Sequence, residues 1–265
     1  YMILLKTFLM SANAFKAPHV LGCGVAALDF VALVKNYPQP DSKIRTESLN
    51  TFGGGNVGNT LTCLSRLGIK TSIVTKLGDD ANGSTIEEGL VKEGIDTSHL
   101  IKIKNTSSPF TYIIVDSSTL TRTCIHTPIA EELRPDEMPD SIVENVDLVH
   151  FDSRMTHAAL KLAELAESKN IPIVIDAEKD RPYLSQLLPY ADFVVTNRAF
   201  PELYTGETDR LEAMKKLLDF CGAKFVISTD GSEGSIMVHD GSELWPGFHE
   251  SFDFERMCAK EGEKV

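Results

Sequence analysis

Short runs of apolar and β-branched residues recur along this chain, and each has the length and composition of a buried strand. They are His19–Val25, Thr71–Lys76, Val146–Phe151, Ile171–Asp176, Asp192–Thr196 and Lys224–Thr229. Helical periodicity fills the intervals. In Asn56–Leu67 the residues Val57, Leu61 and Leu64 share one face, and Gly68 is placed to close the helix. Ser84–Glu93, Thr156–Ser168 and Arg210–Phe220 read the same way. Alternation of strand and helix predicts an α/β fold, doubly wound around a mainly parallel sheet.

Two stretches break the alternation. Residues 34–52 carry Pro38, Pro40 and Asp41 and then a strand-like KIRTESL. Residues 110–126 read FTYIIVDSSTLTRTCIH, two β-rich runs around a Ser/Thr turn. Both predict antiparallel strands inserted into the frame. They would form either a small β-lid over the ligand edge of the sheet or an added antiparallel edge.

Composition narrows the classes. The 265 residues are 42% hydrophobic and 24% charged, as in a globular protein with a sizeable core. The formal net charge of −12 argues against nucleic acid or an anionic membrane as partner. It leaves nucleotides open, because glycine loops and helix termini bind phosphate without net positive charge. No apolar run reaches membrane-spanning length. The cysteines, Cys23, Cys63, Cys124, Cys221 and Cys258, are odd in number and form no CxxC pair, which points to a reducing, cytoplasmic setting. Residues 1–19 read as an N-terminal extension, with organelle targeting left open. The charged segment 247–265 lacks periodicity and is expected to be disordered.

The stretch FGGGNVGNT, residues 52–60, accepts three readings. Gly53, Gly55 and Gly58 have dinucleotide-fingerprint spacing, as do Gly22, Gly24 and Ala27. The first set follows a polar segment, and the second lacks a following parallel strand, so an NAD(P)-dependent enzyme is the minor alternative. A Walker loop would need lysine where Asn59 stands. The third reading is a polyol clamp. Asn56 and Asn59 lie three apart at a helix start and offer donors and acceptors to hydroxyls, while glycines admit close approach. A plain glycine turn with Asn56 as helix cap fits equally well.

The ordered set of segments resembles the ribokinase/PfkB-type carbohydrate kinases, most closely their ketohexokinase branch. The stretches are VLGCGVAALDFVALVKNYPQPDSKIRT (20–46), GGNVGN (54–59), LSRLG (64–68), KLGDD (76–80), EGIDTSHL (93–100), TRTCIHT (121–127), DAEKDRP (176–182) and TDGSEG (229–234). The resemblance covers residues 20–246. It implies ATP-dependent phosphoryl transfer to a hydroxyl of a ketohexose-like sugar, with Mg2+ as cofactor. It assigns Asp29, Gly55, Asn56, Asn59 and the lid residue Arg122 to the sugar. Asp41 matches a lid acid that reaches the partner subunit's sugar, which implies a homodimer through the β-lid. Asn197, Thr229, Gly231 and Gly234 fall on the nucleotide side. Arg154, Glu178 and Lys179 read as structural or solvated charges near sheet ends.

Two departures stand out. The glutamate position of the family's N-x-x-E element is Phe200 here, with Glu202 two residues on. No G-A-G-D follows Gly234, so the aspartate that accepts the hydroxyl proton is missing. The expectation is therefore a C-terminally shortened, inactive kinase that lacks the family's last helices, or a non-catalytic sugar-binding form.

Overall fold

A computed structural model describes residues 17–241, which fall into two compact units, one of residues 22–133 and one of residues 17–21 with 134–241. The segment 247–265 and most of the 1–19 extension lie outside the described residues. Strand β1 (His19–Cys23) passes from one unit into the other.

In the unit of residues 134–241 the frame is an α/β sheet. Strands β8 (Leu148–Phe151), β9 (Ile173–Ala177), β10 (Phe193–Asn197) and β11 (Phe225–Thr229) pair in parallel in that order. β12 (Ser235–His239) adds an antiparallel edge to β11. The helices are α3 (Thr156–Ser168), α4 (Leu184–Leu187), α5 (Phe200–Thr205) and α6 (Arg210–Cys221). Ala158, Ala159, Leu162, Ala163 and Ala166 form the buried face of α3, a run of small residues that lets the helix lie close to its sheet. His150 of β8 is buried, and neither ring nitrogen has a partner at hydrogen-bond geometry. Burial pushes its pKa down to about 4, weakly opposed by the Val174 backbone.

The unit of residues 22–133 holds β4 (Lys70–Gly78) and β5 (Asp96–Ile103), a parallel pair, with α1 (Asn56–Arg66) and α2 (Ala81–Lys92). It also holds a separate four-stranded sheet of β2 (Ala27–Val34), β3 (Ser48–Gly54), β6 (Phe110–Asp116) and β7 (Thr121–Thr127), in the order β3-β2-β6-β7. The inserted stretches therefore build a sheet of their own and do not edge the α/β frame. The 34–52 stretch carries β3 into a hairpin with β2, the 110–126 stretch forms the β6–β7 hairpin, and the two hairpins join through a parallel β2–β6 pairing, which the alternation pattern does not show. β5 also escapes that pattern, because its DTSHLIKI carries polar residues through a half-buried strand.

Asp116 anchors the sheet's far end. Its carboxylate accepts from the Ser118 hydroxyl and from the backbone amides of Tyr37, Ser118 and Thr119. The Ser118 hydroxyl and the Tyr37 amide are the main causes that hold its pKa down at about 2.

The KLGDD segment ends in a polar knot. Asp80 caps α2 by accepting from the Gly83 amide at 2.8 Å, and it also accepts the hydroxyl and amide of Ser108 at 2.6 and 3.1 Å. Partial burial pushes its carboxyl upward, but these hydrogen bonds outweigh it and lower the pKa. Replacing Asp80 by alanine removes the cap and leaves the fully buried Ser108 hydroxyl only the longer bond to the Gly78 carbonyl at 3.3 Å. We expect a loss of about 2 kcal/mol in urea unfolding, with Asp80→Asn recovering part of it.

Candidate sugar and nucleotide half-sites

Each unit carries one set of the residues expected at a binding site. In the unit of residues 22–133, β3 runs into α1 through Gly54 and Gly55. Gly54 is buried against Asp29: a Cβ there would stand 2.3 Å from a carboxylate oxygen of Asp29. Gly55 has φ +84, and a Cβ on it would meet the Val25 carbonyl oxygen at 2.2 Å. Gly53 lies in β3 opposite Leu28, and a Cβ on it would meet nothing within 4 Å, so it is a strand residue and not a turn residue. The tight passage is therefore Gly54–Gly55.

Asp29 is half-buried in β2, and its carboxylate makes no hydrogen bond or ion pair among the described residues. An acceptor held this way, beside backbone with no side chain, suits a ligand hydroxyl. Asn56 is half-buried as the first residue of α1. The cap position belongs to Gly55, with no side-chain cap, so the reading of Asn56 as the helix cap does not hold. Asn59 is exposed, one turn on, and its amide donates to the Gly55 carbonyl at 2.9 Å. It lines a cleft of about 500 Å3 with Gly53, Gly54, Thr62, Ile86 and Leu90, while Asp29 and Asn56 do not.

The other two expected sugar residues stand apart. Asp41 is exposed with φ 59 in the turn closed by the Ser42 amide on the Gln39 carbonyl. Arg122 is exposed in β7 opposite Val115, which aligns with Leu33. That register places Arg122 four residues along the sheet from Asp29, about 13 Å, and two strands across. The structure therefore does not bring Arg122 to Asp29. The β7 residue in Asp29's own row is His126, through Thr111. Spacing along the sequence cannot show this, because it depends on the register of three strands.

In the unit of residues 134–241, β10 and β11 end side by side at Asn197 and Thr229. Asn197 is exposed, and its side chain is engaged at both ends. Oδ1 accepts from the amides of Ala199 and Phe200, which starts α5, and Nδ2 donates to the Glu178 carbonyl at 3.1 Å. Phe200 is buried and stacks on Tyr204, so the N-x-x-E position offers no oxygen there. Among the described residues no cluster of His, Cys, Asp and Glu has the grouping of a metal site.

Thr229 is exposed, and its hydroxyl donates to the Thr196 carbonyl. The turn that follows places Gly231 at φ 54 and Gly234 at φ 91, ψ −135, a backbone region open in practice to glycine alone. Asp230 at its base accepts from Arg198 at 3.0 Å and from Arg210, which also bonds the buried Ser228 hydroxyl. Arg198 keeps 65% of its side chain exposed, so a guanidinium beside this turn is open to a phosphate.

The loops after β8 and β9 hold three non-glycine residues in left-handed backbone: Ser153 (φ 55), Met155 (φ 51) and Tyr183 (φ 65). Strain of this kind gathers at functional sites, and no composition signal in the sequence reveals it. In the same place Arg154 pairs with Glu178 at 3.3 Å, the structural role read for both. Lys179 is exposed.

The dinucleotide readings lose their framework. β3 is an exposed antiparallel strand, and β1 is followed by β2 where a phosphate-binding helix would start. Asp79 and Asp80, which end the next strand where a dinucleotide fingerprint would need an acid for the ribose, are spent on the Asn105 amide and on the α2 cap. Among the described residues no helix is long and apolar enough to cross a membrane.

Similarity to known proteins extends over most of the chain. A nucleoside kinase of Methanothermobacter thermautotrophicus is 26% identical over 231 residues, 83% of this chain and 72% of that one. Mouse ketohexokinase is 25% identical over 75% of this chain and 69% of its own, so that branch does not stand out from other relatives. An Arabidopsis thaliana ribokinase, solved with ribose and ATP, matches with a TM-score of 0.70 at 23% identity, over 86% of this chain and 77% of that one. The family model for pfkB carbohydrate kinases matches residues 18–252, most of the chain, and the protein belongs to the pfkB family of carbohydrate kinases.

Proposed function

We propose that the unit of residues 22–133 binds a ribose-type sugar or a nucleoside through Asp29, Gly55, Asn56 and Asn59. The unit of residues 134–241 takes ATP, with its Mg2+, along Thr229–Gly234. The observation that carries the sugar reading is the unpartnered Asp29 carboxylate pressed against Gly54. The named relatives favour ribose or nucleoside over the ketohexose expected from sequence. Asp29 would accept hydrogen bonds from sugar hydroxyls, and Asn56 would offer its amide from the first turn of α1. Gly231 and Gly234 would let backbone approach the nucleotide, and Arg198 would meet a phosphate. Asn197 would act by shaping the end of β10.

The transfer step needs a base for the attacking hydroxyl, and no G-x-G-D follows Gly234 in these 265 residues. We infer that they bind both substrates and turn them over weakly or not at all. Asp29→Asn is expected to weaken adenosine or D-ribose binding about tenfold or more by calorimetry, with the melting temperature nearly unchanged. Robust phosphorylation of either compound by the purified protein would refute the inactivity, and equal affinity in the variant would refute the site.

A homodimer through the four-stranded sheet is the quaternary state we propose. Leu49, Tyr112 and Ile125 are 63%, 52% and 51% exposed, and by strand register all three lie on the face opposite Asp29. Sedimentation of a monomer at micromolar concentration would exclude it. A cytoplasmic location is the one we propose, on the odd cysteine count and the lack of a CxxC pair.

A further inference from the structure

The face of the sheet that carries Asp29 holds a polar row of which the sequence motifs single out Asp29 alone. Asp29 on β2 aligns with Thr111 on β6, and Thr111 aligns with His126 on β7. Residues aligned on adjacent strands project from the same face about 4.8 Å apart. The Thr111 hydroxyl and His126 Nδ1 are 3.1 Å apart, a hydrogen bond that fixes the hydroxyl's rotamer. All three residues are half-buried, so the row is shielded but reachable. Along the sheet from it, the same face continues with Val31 and Leu33 on β2 and Ile113 and Val115 on β6. A hydroxyl at position 111 thus begins where the apolar part of that face ends.

We infer that Thr111, oriented by His126, is a second hydroxyl-reading residue beside Asp29, and so helps to select among sugars. This rests on the sugar-site reading above. A carboxylate only accepts hydrogen bonds, whereas a sugar hydroxyl both donates and accepts. Asp29 alone therefore satisfies one side of each hydroxyl. Thr111 supplies the complement when His126 Nδ1 carries a proton, and a second acceptor when it does not. With His126 Nδ1 as acceptor, the threonine proton points at the ring and Oγ1 accepts from the ligand. With Nδ1 protonated, Nδ1–H donates to Oγ1 and the threonine proton is free to donate to the ligand. His126 acts through Thr111 and is a positioning residue. Neighbouring ring hydroxyls of a pentose lie closer together than two adjacent strands, so a carboxylate and a hydroxyl on those strands can converge on the pair, one meeting Asp29 and the next Thr111.

A threonine–histidine bond across two strands could also serve only to brace the sheet, and the test separates the roles. Calorimetry would follow D-ribose and adenosine, each with its deoxy counterparts, on the full chain. Thr111→Val keeps the shape and removes the hydroxyl. It is expected to bind the parent compounds about tenfold more weakly, with Thr111→Ser within about twofold of the parent protein. For one deoxy position the Val variant and the parent protein should bind equally, because the partner hydroxyl is gone. His126→Ala should weaken binding only while Thr111 is present and add nothing in the Thr111→Val background. Equal loss across every deoxy compound would mean a bracing role and overturn the inference, as would unchanged affinity in Thr111→Val. If Asp29→Asn binds as the parent does, or the parent binds none of these compounds, the sugar-site reading itself fails and takes the inference with it.

Discussion

Replacing Gly55 by alanine is expected to cost about 3–4 kcal/mol or to prevent folding of the unit of residues 22–133, whereas Gly53→Ala should shift stability by less than about 1 kcal/mol. The two glycines are neighbours in a run of three, and sequence alone treats them alike. Their surroundings differ. Gly55 sits at φ +84, where a side chain is strained, and its Cβ would lie 2.2 Å from the backbone oxygen of Val25. Backbone cannot swing aside as a flexible side chain can. Gly53 is an ordinary strand residue with open space beside it. Urea unfolding of both variants gives the comparison. Similar destabilisation at the two positions would mean that the whole glycine run acts as one turn, and would return the fingerprint spacing of Gly53, Gly55 and Gly58 to consideration.

Acid should destabilise the protein in two stages, with His150 responsible for the first. Its folded pKa is about 4, against an ordinary value near 6.5. The unfolded chain therefore binds a proton at a pH where the folded protein does not, and stability falls as pH drops from about 6.5 to 4. The size expected from the difference is about 3 kcal/mol. His150→Leu, close in volume and unable to ionise, should flatten the profile in this window. Asp116 acts lower. Its folded pKa of about 2 is below that of a free carboxyl, so the stability it contributes is present above about pH 4 and is lost as pH falls through 2. Denaturant midpoints measured from pH 7 down to about pH 2 test both. A parent profile that is flat between pH 6.5 and 4.5 would show that His150 is not held neutral in the folded state.

Much of the frame can be read from the order of residues because buried strands and amphipathic helices have local signatures. The helix over Thr156–Ser168 has those bounds in the structure, and Arg210–Phe220 extends by a single residue. Exposed strands lack such a signature. β3 reads as polar because every residue of it except Gly54 is exposed, and it starts at Ser48, later than the KIRTESL run suggests. The site divides the same way. Asp29 and Gly54 stand one hairpin apart, so the short stretch that names them also brings them together, whereas Asn59 lines a cleft that holds neither Asp29 nor Asn56. Resemblance alone attaches Arg122 to the sugar, and three strands in register put His126 in Asp29's row instead. Resemblance likewise gives Asn197 to the nucleotide, and the geometry adds a second task, opening α5.

The parallel pairing of β2 with β6 also bears on how the protein is made. As the chain emerges during synthesis, the β2–β3 hairpin is complete once Gly54 has appeared, but its inner strand has no second neighbour until Phe110–Asp116 arrives. Closing a loop of this length is entropically slow, and non-local strand pairing sets folding rates. The half-finished sheet must wait with the open edge of β2 available to other chains, an exposed edge of the kind a chaperone protects. Both the Asp29 row and the proposed dimer face come into being in that single late step.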